Sequence, residues 1–358
     1  MQHADPADAP VLVHIEGRAG HLVLNRPRAL NALTHPMVRT LDAALAAWES
    51  DPGVETVVLS GAGGRGLCAG GDIRAIHDDA RDGDGRATEA FWWDEYRLNA
   101  RIARFPKPYV ALMDGIVMGG GVGVSAHGGV RVVTERSRVA MPETGIGFVP
   151  DVGGTHLLAR APGELGTYLA LTGTAVGAAD ALQCGLADHF VPSDRLADLV
   201  ADLAVVPARE AVRRRATDAP QDGLLDGARE WIDHCFAGDT AEEIVGRLTD
   251  TGVRAAKEAA ETLLAKSPTS VKVTLEAVRR ARALGSLERV LVQEYRVSCT
   301  ALRGPDLVEG VRAQIIDKDR DPRWSPATLG EVSGTTVARH FASRGAGREL
   351  TFGDTPGV

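Results

Sequence analysis

The chain has 358 residues, 48 acidic against 40 basic, with a formal net charge of −8 and 44% hydrophobic residues. That length and apolar content suit one large core, or a core with an appended region, and exclude a chain that is disordered over most of its length. An evenly acidic surface is a poor partner for nucleic acid or an anionic bilayer, so no nucleic acid and no membrane are expected as partners. No run of about eighteen apolar residues offers a membrane span.

Four scattered cysteines, Cys68, Cys184, Cys235 and Cys299, make neither a CxxC pair nor a zinc-like Cys/His spacing. Neither disulfides nor a metal is expected. The opening MQHADPADAPVLVHIEG has no basic, apolar leader, and a cytoplasmic location is the resulting expectation.

Residues Val11–Leu24 alternate as a hairpin with its turn near Gly17 to Gly20. From Thr34 to Glu49 the apolar residues Met37, Leu41, Leu45 and Trp48 recur at helical spacing. A strand at Thr56–Ser60 leads into the glycine-rich GAGGRGLCAGGD. Residues 78–90 are polar and read as a mobile surface loop, and a helix is expected over Trp92–Phe105. Strands at Tyr109–Met113 and Val130–Thr134 precede MGGGVGVSAHG and MPETGIGFVPDVGG respectively. Strand, glycine-rich turn and helix thus recur, which favours an α/β core. Beyond about Val205 the segments are charged and helical, Ser270–Ala283 and Leu287–Arg303 among them.

Two glycine clusters, Ala69–Gly70–Gly71 and Gly119–Gly120–Gly121, follow strands. Glycine there permits unusual backbone angles and close ligand approach, and two convergent N–H groups make an oxyanion hole. Each cluster also reads as a plain tight turn. Glu143 stands among apolar and glycine residues, where a raised pKa would fit it for base, acid or nucleophile; a surface or helix-start charge is the alternative, and Asp151 invites the same two readings. Ser125 lacks a GxSxG elbow, His127 reads as structural, and Glu95 would ordinarily be a solvated helix charge.

Taken in order, HLVLNRPRALNAL from His21, GLCAGGDIRAI from Gly66, KPYVALMDGIVMGGGVG from Lys107, MPETGIGFVPDVGG from Met141 and LTGTAVGAADALQCGLADHFV from Leu171 resemble the crotonase (enoyl-CoA hydratase/isomerase) superfamily. The resemblance implies an α/β fold with a crotonase-type ββα spiral core over residues 1–205, a helical C-terminal region over 206–332 covering it, and a flexible tail at 333–358. It implies an acyl-CoA substrate, room for a homo-oligomer, and an oxyanion hole from the backbone N–H groups of Ala69 and Gly120. CoA contacts would fall at Arg26, Arg28, Ala69, Gly70, Gly71 and Asp72.

Family hydratases use two glutamates, and the position of the first is Gly123 here; only Glu143 matches the second. The stretches VALMDGIVMGGGVGVSAHG, RVVTERSRVAMPETGIGFVPDVGG, KSPTSVKVTLEAVRRA and VEGVRAQIIDKDRDPRW are instead similar to the 3-hydroxyisobutyryl-CoA hydrolase branch. That branch implies substrate contacts at Glu95, Gly120, Glu143 and Asp151, with Glu143 and Asp151 catalytic. It implies hydrolysis of a short branched hydroxyacyl-CoA in valine breakdown, with no cofactor beyond the CoA of the substrate. A hydratase or isomerase acting on a short acyl-CoA is the alternative.

Chemistry agrees with a single carboxylate. Hydration places hydroxide and a proton on neighbouring carbons and uses two proton handlers. A thiolate of pKa about 8.5 leaves without strong acid help, so hydrolysis needs a stabilised oxyanion and one activated nucleophile. Glu143 would activate water or attack directly to give an anhydride.

Overall fold

The computed structural model describes residues 9–353. The hairpin forms as expected from β1 (Val11–Glu16) and β2 (Ala19–Leu24), with Gly17 turning at φ +56°. The expected amphipathic helix spans His35–Glu49 and buries Met37, Leu41, Leu45 and Trp48. It returns the chain to β3 (Thr56–Gly61), which pairs parallel with β2.

Three short strands follow longer ones: β4 (Gly66–Cys68), then β5 (Tyr109–Met113) with β6 (Ile116–Met118), and β7 (Val130–Val133) with β8 (Arg138–Ala140). With β9 (His189–Phe190), the long strands form one sheet in the order β1-β2-β3-β5-β7-β9, parallel from β2 onward. The short strands form a second sheet in the order β4-β6-β8. The strands β3, β5 and β7 each hand the chain to a short strand of the other sheet and then to a helix or helical turn, which is the ββα spiral. Every residue of β5 is buried, the continuous apolar run expected of a parallel strand covered on both faces.

The described residues fall into two compact units whose segments interleave along the chain. One holds the residues up to Gly71 with Arg97–Val139 and Val176–Leu224; the other holds Asp72–Tyr96, Ala140–Ala175 and the residues from Leu225 on. A cut at residue 205 therefore does not coincide with the packing, because the loop carrying Glu143 and Asp151 belongs with the C-terminal helices. Those helices include Pro268–Leu284 and Leu287–Ala301, each opened by a serine that accepts a backbone N–H, Ser267 and Ser286 respectively.

Two expectations are corrected. Residues 78–90 are not a mobile loop: a helix runs over Ile73–Asp82 and the next starts at Arg86. The Asp79 carboxylate ties the two together by accepting from the Thr88 N–H at 2.8 Å and hydroxyl at 2.7 Å. Nor is the stretch from 333 a flexible tail up to 353; residues 354–358 lie outside the described part. Ser333 caps a helix over Gly334–His340, Phe341 and Leu350 are buried, and Glu349 pairs with Arg296 at 2.9 Å. Local polarity hid both segments, and the partner of the second, Arg296, is far away in sequence. Among the described residues, no helix is long and apolar enough to cross a membrane.

Candidate active site

In the first unit the two glycine clusters meet. A Cβ added to Gly121 would sit 2.3 Å from the Cys68 carbonyl oxygen, so only glycine lets the backbone of the second cluster pass that close to β4. Gly70, at φ +114°, lies beside the Gly120 nitrogen. The expectation for Ala69 is corrected here: its N–H donates to the Leu30 carbonyl at 3.0 Å and is engaged in the fold. Among the described residues, neither the Gly71 nor the Gly120 N–H donates a hydrogen bond within the protein. Gly120 opens the short helix Gly120–Ser125, where the first N–H groups have no intrahelical acceptor. Two uncommitted amides therefore exist, and the first cluster contributes Gly71 rather than Ala69.

In the second unit, four carboxyl groups converge. Glu143 starts a tight 3₁₀ turn, Glu143–Ile146, that ends at Gly147 with φ +70°; a Cβ there would lie 2.1 Å from the Asp306 carbonyl oxygen. The turn is tied down by Phe148 N–H donating to the Glu143 carbonyl at 3.0 Å and by Ser267 N–H donating to the Thr144 carbonyl at 3.3 Å. Trp92 stacks on Phe148, ring centres 5.2 Å apart. The Glu143 side chain is 6% exposed, and its Oε2 has no hydrogen-bond partner in the protein. A buried polar atom without a partner costs free energy in a resting fold, and such groups mark functional positions.

Asp151 receives the Tyr96 hydroxyl at 2.7 Å, and that hydroxyl also bonds Ser298 at 2.8 Å. Beside it Val152 is held at φ +53°, a region a β-branched residue enters at a cost of about 1–3 kcal/mol. Glu294 fixes the next turn: its carboxylate accepts from Gly153 N–H at 2.6 Å, Thr155 N–H at 2.9 Å and the Thr155 hydroxyl at 2.5 Å. The strain thus sits in a segment that a buried acid holds by three bonds. Glu95 is 2% exposed, not solvated, and its Oε1 is likewise unpartnered. One helical turn further on, Asn99 is fully buried with both amide atoms unpaired.

Burial dominates the electrostatics. It pushes Glu143 well above the carboxylate range, with the neighbouring Asp151 adding to the rise. Glu95 is raised well above its usual value by burial and then by Asp151. Asp151 is pushed to about 7 by burial, against the lowering hydrogen bond from Tyr96. Glu294 rises to about 8, again by burial. Like charges in one dry site cannot all ionise at neutral pH.

Acids raised in this way stabilise the fold fully below their unfolded pKa, near 4, and that stability is lost as pH climbs through the folded values. The wild-type Tm should therefore fall between about pH 5 and 8, and Glu143→Gln should flatten the fall. Calorimetric scans that superimpose for the two proteins at every pH would show that Glu143 is not held protonated.

Other predicted residues are placed as follows. Arg26 donates to the Ala32 carbonyl at 2.6 Å, bracing its own loop, whereas Arg28 is exposed. Asp72 is the N-cap position of the helix Ile73–Asp82. The Ser125 hydroxyl is buried and donates to the Gly121 carbonyl at 2.6 Å, a structural use. No metal site was expected, yet His14, Glu16 and His21 on the β1–β2 hairpin bring donor atoms within 4.8 Å of one another. The sequence points to Gly71 only as a CoA contact and does not single out Tyr96, Glu294 or Ser298 as parts of the site. The last two stand one turn apart on an ordinary-looking helix, and nothing local marks them.

The model of the enoyl-CoA hydratase/isomerase family matches residues 19–341, and the chain belongs to that family. Within it, the chain is 43% identical over 354 residues to the mitochondrial 3-hydroxyisobutyryl-CoA hydrolase of Gallus gallus, covering 96% of this chain and 91% of that protein. The Homo sapiens protein of the same name is 42% identical over 355 residues, with the same two coverages of 96% and 91%. Among solved structures, a carnitinyl-CoA dehydratase from Mycobacterium thermoresistibile is 52% identical with a TM-score of 0.93, covering 97% of this chain and 100% of that one. An enoyl-CoA hydratase from Rhodobacter sphaeroides 2.4.1 is 45% identical with a TM-score of 0.89, covering 96% and 100%. The cytoplasmic expectation is corrected by the same comparison, because these curated relatives are mitochondrial proteins.

Proposed function

We propose that this chain hydrolyses a short branched hydroxyacyl-CoA thioester, 3-hydroxyisobutyryl-CoA, to 3-hydroxyisobutyrate and CoA, a step of valine breakdown. The carrying observation is Glu143, a buried carboxyl with an unpartnered oxygen and a raised pKa, set against glycine at position 123, where a hydratase would carry the first of its two glutamates. The names of the curated relatives support the same reading.

The amides of Gly71 and Gly120 take the oxyanion as the thioester carbonyl becomes tetrahedral. Glu143 supplies the nucleophile, and both routes open to it, water activation and direct attack to an anhydride, draw on its ionised form. The C–S bond breaks and the thiolate of CoA leaves, taking a proton from the medium or the site. Asp151, held by Tyr96, orients the water or the substrate hydroxyl, with Glu95 a second partner for that hydroxyl. Water is the only co-reactant, and no cofactor takes part.

The test is thiol release followed with a colour reagent. 3-Hydroxyisobutyryl-CoA should yield free CoA, while crotonyl-CoA should keep its thioester. Loss of the crotonyl double bond without thiol release would overturn the hydrolase reading in favour of a hydratase.

A further inference from the structure

A cavity of about 590 Å³ lies within the second unit, walled by the end of the helix Leu287–Ala301, the start of the helix Pro305–Val311 and the segment from Thr336 to Arg348. None of the four converging carboxyl groups lines it. Four arginines do: Arg303, Arg339, Arg344 and Arg348, with Asp306 the one carboxylate in the described wall. In a chain of net charge −8 this is a local excess of positive charge.

The acids at hand are already engaged. Asp306 accepts from the Ser267 hydroxyl at 2.6 Å and the Ser325 N–H at 2.8 Å. Glu89 alone serves two guanidinium groups, Arg303 at 2.8 Å and Arg344 at 2.7 Å. Arg339 and Arg348 are exposed and form no ion pair among the described residues.

Arg344 is the fixed member. Its side chain is 13% exposed and its guanidinium lies 5.0 Å over the Tyr295 ring. One arm holds Glu89, and the other, Nη1, faces the Cys299 sulfur at 2.6 Å. Burial pushes the Cys299 thiol up to about 12, so the sulfur is neutral and a weak acceptor. A cation is thus pinned in place with a donor that lacks a strong acceptor.

The lining also says what kind of ligand fits. Guanidinium forks pair with the planar or tetrahedral oxygens of carboxylates and phosphates. The hydroxyl of Thr269 adds a neutral donor, whereas those of Thr300 and Ser343 already donate to the Arg296 carbonyl and the Glu349 carboxylate. No Phe, Tyr or Trp stands in the described wall to stack on a base. The volume lies within the range of small-molecule pockets, about 300–1,000 Å³.

We propose that this cavity binds a small, multiply charged oxyanion bearing phosphate or carboxylate groups, gripped by Arg344 and enclosed by Arg339 and Arg348. Gly147 and Val149 are in the same wall, so the ligand rests against the stretch that joins Glu143 to Asp151. The proposal is independent of which thioester the enzyme cleaves.

Isothermal titration of the full chain at fixed ionic strength, with pyrophosphate in one series and citrate in another, tests it. Saturable binding of at least one is expected; pyrophosphate alone assigns a phosphate ligand, citrate alone a carboxylate. In Arg339→Ala/Arg348→Ala the affinity should fall about tenfold or more, with kcat and KM for the thioester unchanged when no anion is added. No saturable binding of either anion, or equal affinity in the double variant, overturns the site. A raised KM for the thioester in that variant also overturns it, by making the arginines part of CoA binding.

Discussion

Glu143→Gln should reduce thiol release by about 10²- to 10⁴-fold, the usual worth of a positioned proton-transfer group, while CoA binding stays close to wild type. The amide is nearly isosteric with the protonated acid that burial favours, so the turn Glu143–Ile146 should keep its geometry. What the variant lacks is the ionised form, which either accepts the proton of water or attacks the carbonyl. The measurement is kcat from the thiol assay beside the dissociation constant of a product such as CoA. A variant with unchanged kcat would remove Glu143 from the chemistry, whatever the rest of the site does.

Gly120→Pro should lower kcat by about 10²- to 10³-fold with little loss of folded protein. Each oxyanion donor is worth about 3–4 kcal/mol in comparable sites, but a main-chain N–H cannot be deleted by shortening a side chain. Proline removes it directly. Gly120 is the first residue of its helix, a position where proline is well tolerated because the N–H has no intrahelical acceptor. Gly120→Ala is the matched control, since it adds a methyl and keeps the amide. A proline variant as active as the alanine control would mean that the Gly120 amide does not hold the developing oxyanion.

Much of this is legible in the sequence. The strand Tyr109–Met113 is announced by its apolar run, as a parallel strand covered on both faces favours. Glu143 and Asp151 stood out as acids within a loop of glycine, proline and apolar residues. Other features depend on contacts that no local pattern carries. Whether Ala69 or Gly71 offers the uncommitted amide turns on one carbonyl, that of Leu30, in a loop far upstream. The strained Val152 is stabilised by Glu294 on a distant helix. Glu95 reads as solvated because an acid on a helix ordinarily faces water, whereas it is enclosed with Asp151. Residues 333–353 read as a tail from their glycine and threonine content, and Arg280 over the Phe341 ring is one of the contacts that fold them in.

The most direct test of the account is the pH dependence of kcat/KM for thioester hydrolysis. A carboxyl that burial holds protonated must ionise before it can act, so the rate should climb with unit slope through an apparent pKa well above the ordinary glutamate value of about 4.3, and this limb should vanish in Glu143→Gln. A wild-type profile already level at pH 5, or an unaltered limb in the variant, would contradict the claim that Glu143 is the buried acid whose ionisation drives the reaction.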